Sequence, residues 1–86
     1  MPEICRFYGI VIKMFFQDHS PPHFHAEYNE FEALFNINTL EIIQGDLPPK
    51  AKSLVIEWAT KHTKELLDNW VKANKPEQLI KIEPLQ

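Results

Sequence analysis

The stretch His23–Ile37, HFHAEYNEFEALFNI, decides the fold of this 86-residue chain. Apolar and polar residues alternate on both sides of Asn29 and Glu30, which is the pattern of two strands joined by a two-residue turn. One face of that hairpin would be apolar and the other polar. The apolar face holds the pairs Tyr28–Phe31, Ala26–Ala33 and Phe24–Phe35, and the polar face holds Glu27–Glu32, His25–Leu34 and His23–Asn36.

Asn-Glu is not the preferred Asn-Gly turn, so a longer loop with a shifted register remains an alternative.

Further strands are predicted on either side of the hairpin. Ile10–Phe16 reads IVIKMFF and predicts a strand that begins near Phe7, with Gly9 as a bend or bulge. Short strands are expected at Glu41–Gln44 and, returning at an edge of the sheet, at Leu79–Glu83.

The segment after the strands predicts one amphipathic helix from Pro48 to Asn74, with Leu47 as its N-cap. About 26 helical residues span about 39 Å, nearly twice the length of a six-residue strand. One end should therefore overhang the sheet and expose Trp70 and Val71, unless the helix breaks near Thr63. The core-facing residues of the helix are expected to be Val55, Trp58, Leu66 and Trp70.

These elements predict one α+β domain over residues 1–86. We expect a small antiparallel sheet of three to five strands packed on one long amphipathic helix, in the order βββ(β)αβ.

Composition favours an intracellular chain. The lone cysteine, Cys5, has no partner for an internal disulfide. No segment approaches the length of a membrane span, and the N-terminus MPEICRFYG lacks the layout of a signal peptide. We therefore expect a cytoplasmic protein that does not bind membranes.

The charge is divided along the chain, although the net charge is only −3. Residues 1–49 hold two basic and seven acidic side chains, whereas residues 50–75 hold six lysines and three acidic side chains. Lysines interrupted by carboxylates are typical of a solvated helix surface, so nucleic-acid binding receives little support.

The chemistry of the chain is concentrated around the first predicted strand of the hairpin. His23 and His25 are two residues apart on a strand and therefore project from the same face, with Glu27 next in the row and His19 in the preceding loop. Two such histidines with a carboxylate are familiar zinc or iron ligands, and a third ligand could come from His19, Glu27 or His62. The other interpretation is structural: at least one histidine donates to a backbone carbonyl of the Asp18–Pro22 loop.

The predicted register also opposes two like charges, Glu27 and Glu32, which is unfavourable unless a cation lies nearby. The candidates within the chain are Lys13, Arg6 and a protonated histidine, and a metal ion or a partner's basic side chain would serve as well.

His62 falls on the apolar side of the helix and is expected to be a core or sheet-edge residue with one hydrogen bond. Nothing near Cys5 suggests a nucleophile.

Several motifs together resemble a known family. The motifs are RFYGIVI (6–12), DHSPPHFHA (18–26), GDLP (45–48), EWATKH (57–62) and LLDNW (66–70). They resemble the bacterial domain-of-unknown-function family 4160 (DUF4160). The resemblance implies no established activity. It implies a short stand-alone protein encoded beside another small protein, as in toxin-antitoxin or regulatory pairs.

The function expected from these observations is a small binding or regulatory module that acts through a protein partner or as a homo-oligomer. Its recognition surface would comprise His19, His23, His25 and Glu27, with Glu32, Arg6 and Lys13 beside them.

Two alternatives stay open. One is a ribonuclease-like hydrolase with His23 or His25 as general base and Arg6 or Lys13 stabilising the developing charge. The other is a protein that binds a divalent metal such as zinc through His23 and His25; no other cofactor is expected.

Overall fold

The computed structural model describes residues 3–16, 18–19, 21–75 and 77–85. In these residues the chain forms an antiparallel sheet with strand order β1-β2-β3-β4-β5, followed by two helices. The architecture is therefore α+β. The elements are β1 (Glu3–Phe7), β2 (Ile10–Lys13), β3 (His23–Tyr28), β4 (Phe31–Asn36), β5 (Ile42–Asp46), α1 (Pro49–Lys61) and α2 (Thr63–Asn74).

The central hairpin has the predicted register. Tyr28 pairs with Phe31 and His23 pairs with Asn36, so all six predicted pairs are present. Asn29 occupies the left-handed region at φ 53, a conformation that asparagine tolerates better than most residues. Phe24 and Phe35 stack with ring centroids 5.3 Å apart on the core face. The two-residue turn thus fixes which side chains enter the core and which reach the other face.

The first predicted strand is in fact a second hairpin. β1 and β2 pair through a turn at Tyr8 and Gly9, both with positive φ. The prediction of one strand with a bend at Gly9 was wrong, because left-handed backbone at two consecutive residues reverses the chain instead of bending it. At the far edge β5 begins one residue later than predicted and extends to Asp46.

The predicted single helix is also divided in two. Its N-cap is Pro48 instead of Leu47. The first helix, α1, ends at Lys61 with His62 as its C-cap, which has φ −128 and ψ 24. At the break, both the His62 N–H (3.1 Å) and the Thr63 hydroxyl (2.9 Å) donate to the Ala59 carbonyl. In a continuous helix the Ala59 carbonyl would accept the Thr63 N–H. Because it accepts the His62 N–H and the Thr63 hydroxyl instead, the regular hydrogen-bond pattern is interrupted and a new helix, α2, begins at Thr63.

The break changes the surroundings of Trp70. The residue is only 9% exposed, which confirms the prediction that it faces the core. The exposure expected for one unbroken helix does not occur, because the helix breaks near Thr63, the position named as the exception. Val71 is 50% exposed, as predicted. Trp58 is fully buried against Phe7 and Phe24, and its Nε1 donates to the Glu83 carbonyl at 2.7 Å. Because the chain turns at His62, α2 covers its tryptophan with the protein's own residues.

The C-terminal segment lies beside the sheet without forming the predicted strand over Leu79–Glu83. A single backbone bond joins the Ile82 N–H to the Ile4 carbonyl at 2.9 Å, and the Asn69 side chain holds the N–H and carbonyl of Ile80. The hydrogen bonds of the Asn69 side chain attach the segment to α2, and the bond from Ile82 to Ile4 attaches it to β1. Neither helix in the described residues is long and apolar enough to cross a membrane.

Candidate metal centre

Three donor side chains meet where the proline loop enters β3. Asp18, His23 and His25 each offer one ligand atom, and these atoms all lie within 4.8 Å of one another. The Oδ2 atom of Asp18 lies 3.0 Å from Nε2 of His23 and 3.5 Å from Nε2 of His25. The alternation of β3 directs both imidazoles to one face, and the loop returns Asp18 to the same place.

The other nitrogen of each ring has its own acceptor. Nδ1 of His23 lies 2.8 Å from the Pro21 carbonyl oxygen, as predicted for a histidine that holds the loop. Nδ1 of His25 lies 3.3 Å from Oε2 of Glu32 on the adjacent strand. Histidines that bind metal through Nε2 usually donate Nδ1–H to a backbone carbonyl or a carboxylate. Both rings have this arrangement.

The hydrogen-bond pattern at His23 calls for a cation. A carbonyl oxygen only accepts, so Nδ1 carries the proton toward Pro21. In a neutral ring Nε2 would then turn a lone pair toward the carboxylate of Asp18. Either a second proton or a metal ion must separate the two lone pairs. His25, with a carboxylate at each nitrogen, poses the same requirement.

The two imidazoles lie close enough to share one cation. The ring centroids of His23 and His25 are 5.3 Å apart, and their side chains are only 7% and 12% exposed. A single divalent ion would satisfy both Nε2 atoms and the carboxylate at once.

The distances fit such an ion. A tetrahedral ion bound at about 2.0–2.2 Å keeps its ligand atoms about 3.3–3.6 Å apart. The two separations from Asp18 Oδ2, 3.0 and 3.5 Å, lie around that range. All three ligand atoms lie within 4.8 Å of one another, so the two imidazoles would have to move toward each other by up to about 1.2 Å to share one coordination sphere.

Asp18 is held as a charged donor. Its partial burial raises the pKa, but the hydrogen bond from the His19 N–H and the interactions with His25 and His23 outweigh burial, so the pKa lies below its ordinary value. The His19 N–H donates to Oδ1 at 2.8 Å, which leaves Oδ2 directed at the imidazoles. The backbone therefore orients the carboxylate as well as keeping it ionised.

Two aromatic rings enclose the donors. The Phe15 ring meets the His25 ring edge-on at 4.3 Å, and the Trp70 ring lies 5.1 Å from the His23 ring. Phe15 lies two residues after the end of β2, and Trp70 belongs to α2, so the two walls come from distant parts of the sequence. An apolar wall lowers the local polarity and strengthens the attraction between an ion and its ligands.

The remaining predicted residues divide into neighbours of the centre and residues apart from it. Glu27 and Glu32 lie opposite each other, as predicted, and each has its own partner. Lys13 pairs with Glu27 at 3.1 Å, and Nδ1 of His25 lies near Glu32. Arg6 pairs with Glu3 at 2.9 Å on the exposed edge of β1.

Two further histidines lie outside the donor cluster. His19 contributes its backbone N–H and is exposed. His62 lies against Trp58 and pairs with Glu65 at 2.6 Å.

Asp18 was missing from the predicted donors. The third donor was expected from His19, Glu27 or His62, yet none of them belongs to the cluster formed in the described residues. Loop residues have no face periodicity, so the pattern of the sequence did not indicate where the Asp18 carboxylate points. The available signal was chemical: a carboxylate five residues before His23, in a segment constrained by two prolines.

Comparison with known proteins gives one match. The model of a family described as a domain of unknown function (DUF4160) matches residues 9–71, which include all three donors and both aromatic walls. No curated protein and no solved structure matches the chain.

Proposed function

We propose that this chain, which belongs to the DUF4160 family, is a small metal-binding domain whose divalent ion is held by Asp18, His23 and His25. The observation that carries the proposal is the convergence of two Nε2 atoms on one carboxylate oxygen, with each Nδ1 atom held by a separate acceptor. Two imidazoles and one carboxylate are donors suited to zinc or iron.

Three protein ligands leave part of the coordination sphere for another molecule. Structural zinc sites are closed by four protein ligands, whereas sites with three keep a position for water, substrate or another side chain. Asp18 is the most exposed of the three side chains, at 23%, so we expect the open position on its side. The proposed centre is therefore of the open type.

The test is a zinc titration of the metal-free protein. Binding at 100 times the dissociation constant stabilises the folded state by about 2.7 kcal/mol, which corresponds to about 10 °C or more in Tm for a domain of this size. We expect one zinc ion per chain and this increase in Tm. The double variant His23→Ala, His25→Ala should bind no zinc and show no increase.

Controls separate the loss of donors from the loss of structure. Asp18→Asn keeps the size of the side chain and removes the charge, so it should weaken zinc binding while circular dichroism stays unchanged. His19→Ala and His62→Ala remove histidines outside the cluster and should bind zinc like the parent. Equal zinc affinity in the parent and in Asp18→Asn, or a loss in His62→Ala, would contradict the assignment.

The role in partner binding stays a separate prediction. It rested in part on an exposed Trp70, and that residue is covered by its own chain. The surface predicted for recognition comprises His19, His23, His25 and Glu27, and of these His19 is exposed. Partner capture that requires both zinc and Asp18 would join the two functions, since a partner's donor atom would then complete the coordination sphere.

A further inference from the structure

A cavity lies at the opposite end of the sheet from the histidines. The β1–β2 turn and the first turns of α1 surround it, and Leu85 closes one side. Its volume is about 480 Å³, within the range of about 300–1,000 Å³ that is typical of small-molecule sites. The lining includes Tyr8, Ile10, Tyr28, Lys50, Leu54 and Leu85.

Two tyrosines give this cavity its character. Tyr8 is 60% exposed and has φ 50, so the turn holds a large aromatic ring open to solvent in a conformation that side chains disfavour. Tyr28 lies under the same turn, where a Cβ at Gly9 would be 3.5 Å from its ring. The turn therefore packs over the Tyr28 ring at ordinary van der Waals distance, and its neighbour Tyr8 presents a second ring at the rim.

The lining carries one cation, Lys50, and one anion, Glu57. Glu57 pairs with Lys61 at 3.8 Å, whereas the ion pairs of the described residues do not include Lys50. The wall therefore offers an ammonium group beside aromatic and aliphatic surfaces. A planar aromatic ring can stack on the tyrosine rings, and an anionic substituent can pair with the ammonium group of the lysine.

We infer that the cavity is a binding site for a small planar aromatic molecule that carries an anionic group. The ring lies against Tyr8 and Tyr28 above Leu54, and the anion pairs with Lys50. This site is independent of the metal centre, because none of its lining residues contributes a donor to the ion.

The test uses three probes: 2-naphthoate, its neutral analogue 2-naphthamide, and the non-aromatic cyclohexanecarboxylate. Each is titrated into ¹⁵N-labelled protein, and NMR shifts are followed. We expect saturable shifts for naphthoate that centre on Tyr8, Tyr28 and Ala51. Binding should be at least tenfold weaker for the other two probes.

Two variants locate the contacts. Tyr8→Asn removes the ring and tolerates the left-handed backbone, so the fold is retained while naphthoate affinity falls at least tenfold. Lys50→Met should weaken naphthoate binding and leave naphthamide binding unchanged, whereas the matched control Lys52→Met should alter neither. The inference fails if naphthoate causes no saturable shifts, if naphthamide binds the parent equally well, or if Lys52→Met has the same effect as Lys50→Met.

Discussion

The carboxylate of Glu32 holds the ring of His25 from the neighbouring strand, with Oε2 3.3 Å from Nδ1. Glu32 sits diagonally across the hairpin from His25, whose direct partner is Leu34. The contact therefore depends on the register of the hairpin as well as on the two side chains. In the proposed centre it would be the outer acceptor for Nδ1, while Nε2 faces Oδ2 of Asp18 at 3.5 Å.

Removing this acceptor should weaken metal binding without removing a ligand. We expect Glu32→Gln to lower zinc affinity by about 10–100-fold, the usual effect of losing an outer-shell partner. Glu30→Gln makes the same charge change in the exposed turn and should leave affinity unchanged. Competition with a chelating dye measures both variants, and equal affinities would show that Glu32 does not position His25.

Trp58 is the centre of the core, because it is fully buried and contacts Phe7, Phe24 and the C-terminal segment. Trp58→Ala should lower the free energy of unfolding by about 3–5 kcal/mol. Val71→Ala, on the exposed side of α2, should change it by less than about 0.5 kcal/mol. Urea denaturation compares the two, and a small cost for Trp58→Ala would contradict the described packing.

The two glycines provide a matched pair for testing the sheet. Both have φ 80, so substitution by alanine should cost each about 1–2 kcal/mol of backbone strain. A Cβ at Gly45 would also collide with the backbone oxygen of Glu32, whereas at Gly9 the nearest atom is a side-chain carbon at 3.5 Å. Thermal unfolding should therefore show a larger loss for Gly45→Ala. A larger loss for Gly9→Ala would place the tight contact elsewhere.

Cys5 should react slowly in the folded protein. Burial raises the pKa of its thiol, so the reactive thiolate forms only at higher pH than in an unfolded chain. Alkylation by iodoacetamide at pH 8 should be many times slower in buffer than in urea, and the native rate should begin to rise at higher pH. Similar rates in both conditions would indicate an accessible thiol.

The sequence was sufficient to predict the hairpin because strand alternation leaves few choices. Only one register separates Phe24 and Phe35 from Glu27 and Glu32, and that register is the one observed. The grouping of His23 with His25 followed from the same alternation. These features depend on a repeating pattern, which a single sequence displays.

The missed features depend on single local contacts. The helix divides where the Thr63 hydroxyl donates to the Ala59 carbonyl, and the helical periodicity passes through that position without a change. Asp18 joins the histidines because the proline loop folds back and the His19 N–H orients the carboxylate. Neither contact alters composition or periodicity. The helix break near Thr63 was therefore only an alternative to one long helix, and the place of Asp18 beside the histidines was not predicted.

The contact between Trp70 and His23 makes the last helix sensitive to the sheet. An ion that immobilises the His23 ring also steadies the surface on which α2 rests. Amide hydrogens of Leu66–Ala73 would then exchange more slowly in the loaded protein than in the empty one. Metal binding in the sheet would then make α2 more rigid. The outer face of this helix, at Val71, is exposed and could contact other molecules.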